Sequence, residues 1–377
     1  MGEWAKIDFL EVIRDETKLA VKIKKEDYLQ QGDIPIIDQG KKYIAGYANN
    51  KEGVYKNNPV IIFGDHTRNI KYFDRPFFIG ADGVKVLKVE LNKANTKFVF
   101  YYLKTCYIED TGYNRHFKWL KEFKIPIPSM EMQGQIVKAL DQAKLLIEKR
   151  KLQIEKLDLL IKSQFVEMFG NPAVNSKKWE EKKLKECLVN IESGKSFVCD
   201  SKRRTGNNVA MLKLSAVTYG KYDSTENKAI LEEKMFVSKA EVKKGDLLFT
   251  RKNTPELVGM SAFVYSTPPK LMMPDLIFRL NTNEKCNRVY LWTLINLDEF
   301  RHRVTGLASG SAKSMSNISK ERLSNLVLPV PPIELQTQFA DFVNKVEKTK
   351  ATLQQSLNKM EQNYKSLMQK CFRGEIF

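Results

Sequence analysis

A chain of 377 residues with 42% hydrophobic content, 21 Phe and 4 Trp holds enough apolar material for two or three folded domains. No stretch reaches the roughly 18 uncharged apolar residues of a membrane span and the first residues show no hydrophobic leader core, so a cytoplasmic protein without a membrane partner is expected. Cys106, Cys187, Cys199, Cys286 and Cys371 include no Cys-x-x-Cys pair, which argues against zinc, and a formal net charge of +18 points to a polyanionic partner.

The chain opens with a globular region in which Trp4 and Phe9 precede short β-type runs closed by turn residues. Val60-Ile61-Ile62-Phe63 meets Gly64-Asp65, and Phe77-Phe78-Ile79 passes through Gly80-Ala81-Asp82-Gly83 into Val84-Lys85-Val86-Leu87. A short aromatic helix is expected at 98–103. After the first strand, His66, Thr67, Arg68, Asn69 and Lys71 form a polar turn suited to phosphate or base edges, and Lys41 and Lys42 add a basic pair. A purely structural turn is the competing reading. A catalytic Asp65-His66 pair would need a third group, and none matches among three histidines.

A long helix follows. Pro126 and Pro128 precede it, Glu131 suits its first turn, and Gly170-Asn171-Pro172 stops it. Ile136, Leu140, Ile147, Ile154, Leu157 and Ile161 fall at alternating four- and three-residue steps, the spacing of a coiled-coil seam, which continues through Gln164 and Met168. About 40 residues make a rod about 60 Å long.

A second globular region begins at Trp179 and Leu184, with strand-like runs at 245–250 and 276–280 and an aromatic helix at 290–297. Lys202, Arg203, Arg204, the strand-end group Arg251, Lys252 and Asn253, and Lys313 in a Ser-rich loop are its candidate phosphate contacts, against the alternative of solvated loops. A second long helix carries the seam Phe339, Val343, Val346, Leu353, Leu357, Met360 and Tyr364, with Lys350 interrupting it.

The two helices are copies. A shift of 203 positions aligns Pro126 with Pro329, Glu131 with Glu334, Gln133 with Gln336 and Phe169 with Phe372, without a gap. Two similar halves, each a globular region closed by a long helix, give an internal repeat. Either the two stripes zip into a spacer rod, with offset polar breaks fixing the register, or the helices are core elements of one compact domain. The helices are near neutral, with 7 basic and 6 acidic residues in 131–170 and 7 and 5 in 334–377, so the excess charge lies on the globular parts. That layout favours nucleic acid over general lysine-rich solubility.

Catalytic signatures are missing. Gly194-Lys195-Ser196 resembles the end of a phosphate loop, but Val189 stands where the first glycine is required. Pro268-Pro269 lies between Thr267 and Lys270, unlike the acidic or amide-bearing site of adenine methyltransferases.

Two variable regions, each closed by Pro-x-Pro-x-x-Glu-x-Gln-x-Gln, resemble the specificity subunit of Type I restriction-modification enzymes over essentially the full length. Phe63-Gly64-Asp65-His66-Thr67-Arg68, Gly80-Ala81-Asp82-Gly83, Gly245–Arg251, Leu257-Val258-Gly259 and the final Phe372-Arg373-Gly374-Glu375-Ile376 carry the same resemblance. It implies an α+β chain with a pseudo-two-fold internal repeat. Residues 1–128 and 171–331 would be target recognition domains, separated by long helices at 129–170 and 332–377 packed as an antiparallel coiled coil. Each domain would read one half of a split double-stranded DNA target, while the helices set the gap and dock two methylation subunits. The chain itself would be non-catalytic and bind no cofactor. S-adenosylmethionine would belong to the methylation subunits, and ATP and Mg to restriction subunits. The alternatives are a non-enzymatic coiled-coil adaptor with generic DNA affinity and a single-chain DNA-modifying enzyme.

Overall fold

The computed structural model describes residues 4–80, 82–309 and 315–376. Its helices α1 (Thr96–Thr105), α2 (Met130–Phe169), α3 (Arg288–Asn296) and α4 (Ile333–Phe372) organise the packing. Among the described residues, no helix is long and apolar enough to cross a membrane. Two compact units divide the chain, Met1–Leu152 with Gln354–Phe377 and Gln153–Leu353. The division cuts both long helices at mid-length, so each unit takes in half of α2 and half of α4.

The units share one plan. In the first, an antiparallel sheet runs Ile13–Asp15, Val84–Val89, Val60–Gly64, Ile70–Phe73. A second sheet runs Gly46–Ala48, Ile34–Ile37, Phe78–Ile79, with its last pair parallel. The second unit repeats both: Leu188–Ser193, Ile277–Thr282, Leu247–Thr250, Ser261–Phe263, and then Asn227–Ala229, Ala210–Leu212, Leu271–Met272, again with the last pair parallel.

The run at 60–63 is apolar throughout because its sheet is covered on both faces. Ile61 and Phe63 share a core with α1, whereas Val60 and Ile62 share one with Phe77 and Ile79. In the second unit Leu247 and Phe249 divide from Leu248 in the same way.

In each unit the two long helices run antiparallel. Ile136 and Leu140 of α2 join Tyr364, Leu367 and Cys371 of α4 in the first core, and Lys151 lies 2.7 Å from Glu361. In the second, Phe165 meets Phe339 edge-on at 5.4 Å, and Asp158 pairs with Lys350 at 2.5 Å. Ile136, Leu140, Ile147, Ile161, Phe339, Val343, Val346 and Leu357 are buried; Ile154, Leu157, Leu353, Met360 and Tyr364 are half-buried. Lys350 interrupts the stripe yet is buried, because Asp158 and Glu347 both neutralise it. Burial pushes the Asp158 carboxyl up, but hydrogen bonds from Lys221 and Lys350 hold it below its ordinary value.

The end of α2 leaves the expected seam. Phe165 and Phe169 are buried there, while Gln164 and Met168 are only half-buried. A third helix explains the change: Tyr290 of α3 stacks on Phe165 at 5.4 Å and meets Phe169 at 4.9 Å, which widens the apolar stripe. At the equivalent place in the first unit, Phe372 of α4 meets Phe98 of α1 at 5.2 Å.

The repeated glutamines hold each long helix to its neighbour. Gln133 is fully buried; its Oε1 accepts the Asn95 N–H at 2.8 Å and its Nε2 donates to the Pro128 carbonyl at 2.9 Å. Gln336 accepts the Asn287 N–H at 2.9 Å and donates to the Pro331 carbonyl at 2.7 Å. Asn95 and Asn287 are the N-caps of α1 and α3, so one side chain joins two helix starts in each unit. Gln133→Ala or Gln336→Ala should each cost about 1–3 kcal/mol by leaving a buried group unpaired. Thermal or denaturant unfolding of the variants measures that loss.

Candidate nucleic-acid interface

The strand Val60–Gly64 pairs with Ile70–Phe73, which forces a tight connection through Asp65–Asn69. Arg68 closes it with a left-handed φ of +59°, an uncommon state for a residue with a Cβ. Gly64 is required there, since a Cβ would lie 2.3 Å from Thr67 Oγ1.

Most polar groups of this turn face the protein. Thr67 Oγ1 and Asn69 Nδ2 both donate to the Gln39 carbonyl, at 2.5 and 2.8 Å, and Gln39 Oε1 accepts the His66 N–H at 3.2 Å. Arg68 donates to the Ile108 carbonyl at 3.2 Å and pairs with Asp110 at 2.5 Å. The Gly112 N–H and then Arg68 hold the Asp110 carboxyl below its ordinary value. Asp65 is buried, its carboxylate accepting the Phe117 N–H at 2.7 Å. The turn is therefore a platform on which the 108–116 loop is fastened.

Lys71 is a correction. Its ammonium is buried and donates to the carbonyls of Asp38 at 2.8 Å and Lys42 at 2.6 Å, which ties it to the 38–42 loop. Burial lowers its pKa, and Asp38 opposes the shift. Lys41 and Lys42 keep exposed side chains beside it. The structure thus gathers Lys41, Lys42 and His66–Lys71 into one cluster around Gln39, a residue that no sequence pattern singles out.

In the second unit, Lys202 and Arg203 are exposed, but Arg204 is another correction. It is buried and donates to the carbonyls of Asn208 at 2.8 Å and Pro269 at 2.7 Å; burial lowers its pKa. Arg203 lines a cavity of about 400 Å³ with Thr205, Asn207 and Ser224. Arg251 reaches Asn317 at 3.3 Å, with its guanidinium 5.2 Å from the centre of the Phe278 ring. Lys252–Asn253 pairs with Ser316–Asn317, and Asn253 donates to Thr218 Oγ1 at 3.0 Å. The Lys202–Arg204 and Arg251–Asn253 groups share no hydrogen-bond partner among the described residues. Lys313 lies outside the described residues.

Of the cations singled out from the sequence, Lys41, Lys42, Lys202 and Arg203 face water and Lys252 is half-buried among the described residues. Exposed cations on different loops can neutralise phosphates along a duplex.

The family model for the Type I restriction modification DNA specificity domain matches residues 7–156 and 176–362. The specificity subunit of the Type I restriction enzyme EcoEI of Escherichia coli is 29% identical over 182 residues, which is 47% of this chain and 31% of that one. The EcoR124I/EcoR124II specificity subunit of E. coli is 33% identical over 153 residues, 37% of each chain. The matched stretches thus span about a third of those relatives. The crystal structure of a Type I restriction-modification S subunit from M. genitalium has the same fold, with a TM-score of 0.57, 15% identity, and coverage of 98% of this chain and 96% of that one.

Proposed function

The chain belongs to the Type I restriction modification DNA specificity family, and from that premise we propose that it is the DNA-reading subunit of a methylating and cleaving complex. Each unit reads one half of a bipartite, asymmetric target in double-stranded DNA. The long helices set the unread gap and dock two methylation subunits, which bring S-adenosylmethionine; restriction subunits bring ATP and Mg. This chain contributes recognition and no chemistry.

The observation that carries the reading is the duplication. Two units that share their two main sheets carry different sequences at the equivalent strand end, His66–Asn69 in one and Arg251–Asn253 in the other. A shared scaffold with divergent loops suits two readers of two different half-sites. Duplex DNA has local two-fold axes across its length, so a repeated, antiparallel chain can grip both halves equivalently.

Salt dependence tests the binding. With about 6–10 phosphate contacts, affinity should fall by roughly 10³–10⁵ between about 50 and 200 mM salt. Lys202→Ala with Arg203→Ala should flatten that slope by about one to two units and leave the recognised motif alone. Lys71→Ala should lower stability while leaving the slope unchanged, since its ammonium is already committed within the protein. Binding without a salt slope, or a parent chain that selects no sequence, would favour the adaptor reading instead.

A further inference from the structure

We propose that Tyr113 is a specificity-determining DNA contact of the first unit, its ring a flat face that stacks on a base at an opened step of the duplex. The proposal rests on the reading that this chain recognises DNA.

Three segments converge to hold that one ring. The His66 ring packs on Gly83, whose φ is +81° and where a Cβ would come 2.6 Å from Cδ2. Tyr113 stacks on His66, with ring centres 4.4 Å apart and planes 3° from parallel. His66 Nδ1 also lies 3.1 Å from the Asn114 carbonyl oxygen, beside the tyrosine. The loop carrying Tyr113 is pinned at both ends. Arg68 holds Ile108 and Asp110, and the Asp65 carbonyl accepts the His116 N–H at 2.8 Å. Between them, Asp110 Oδ1 accepts the Gly112 N–H at 3.0 Å, and Asn114 Nδ2 donates to the Thr111 carbonyl at 2.7 Å.

Despite this anchoring, Tyr113 is 88% exposed. A tyrosine on a free loop would be ordinary surface. A ring with its inner face covered by imidazole and its loop fixed in advance loses little freedom on binding, which is what a preorganised contact requires. Arg115 and Lys118, two and five positions further on, are exposed cations, Lys118 lying 4.2 Å from the centre of the Trp119 ring, while Asp110 is already paired with Arg68. An exposed aromatic face in a loop that also carries cations suits a base and its phosphates, the pairing used by stacking platforms and by wedges inserted at base steps. The same layout explains why the 65–69 turn faces inward: it supports the ring, and the ring makes the contact.

The test uses the full chain in whichever complex it purifies, offered a pool of duplexes with randomised interiors. The parent should enrich a split motif. Tyr113→Ala should bind the parent's enriched duplex about 5- to 150-fold more weakly, lose preference within one half only, and keep the parent's salt slope. Tyr113→Phe should stay within about twofold, because the ring is retained. Both variants should melt with the parent, since the side chain lies in water. An alanine variant that enriches the parent's motif at unchanged affinity overturns the proposal and leaves the DNA reading standing. So does one that keeps its DNA preference but sheds its methylation partner, which would make Tyr113 a protein contact. A parent that enriches nothing overturns the DNA reading, and this proposal with it.

Discussion

One helical turn inserted after Leu152 and another after Leu353 should widen the unread gap of the target by about one to two base pairs and leave both half-site sequences unchanged. A turn of four residues adds about 6 Å, against about 3.4 Å per base pair along the duplex. These positions are where the compact units divide, so every contact inside each unit survives the insertion. About 3.6 residues make a turn, so the apolar stripes stay nearly in phase beyond it. Methylome sequencing of a host carrying the variant with its methylation partner reads the outcome, and methylation at the parent's own sites should be lost. Altered bases, or an unaltered gap, would mean that α2 and α4 are not the spacer.

Replacing Leu145, Leu146 and Leu152 with glutamate should abolish retention of the methylation subunits while leaving the chain folded. These residues, with Leu159, Leu160 and Val166, lie on α2 between 41% and 60% exposed, off the seam that pairs with α4. Six such side chains along one helix make an extended apolar surface of the kind that marks a protein-interaction site. Each of the three is already about half covered, so burying the rest contributes about 0.8–1.5 kcal/mol, and losing all three weakens docking by about 50- to 2,000-fold. Co-purification from a strain expressing both chains measures it. Stoichiometric recovery of the partner would place the docking surface elsewhere.

The repeat and the long helices were legible because they leave periodic marks, whereas their antiparallel partnership came only with the family resemblance. A stripe every three or four residues, and a shift of 203 that keeps Gln133 on Gln336, are both visible in one dimension. Phe165 was not, because its burial depends on Tyr290, which lies 125 positions away and in no periodic relation to it. The candidate interface was readable only in part, for the same reason. Lys71 and Arg204 have the composition of phosphate contacts, yet both spend their hydrogen bonds on carbonyls brought near by the fold, from Asp38 and Lys42 for one and Pro269 for the other. Tyr113 stands in a loop with no pattern, and only its stack on His66 sets it apart.

The composition of the first unit has a consequence for its order of assembly on the ribosome. Its core includes Tyr364, Leu367, Cys371 and Phe372, which are made after the whole of the second unit, itself complete at Leu353. At about 5–20 residues per second, roughly 10–50 s separate the synthesis of Ile136 from that of Cys371. Through that interval the apolar faces of Ile136, Leu140 and Phe98 wait for their cover, while the half made later closes first. The unit begun first is thus finished after the other, and of the two it is the more exposed to chaperones, proteases and premature termination.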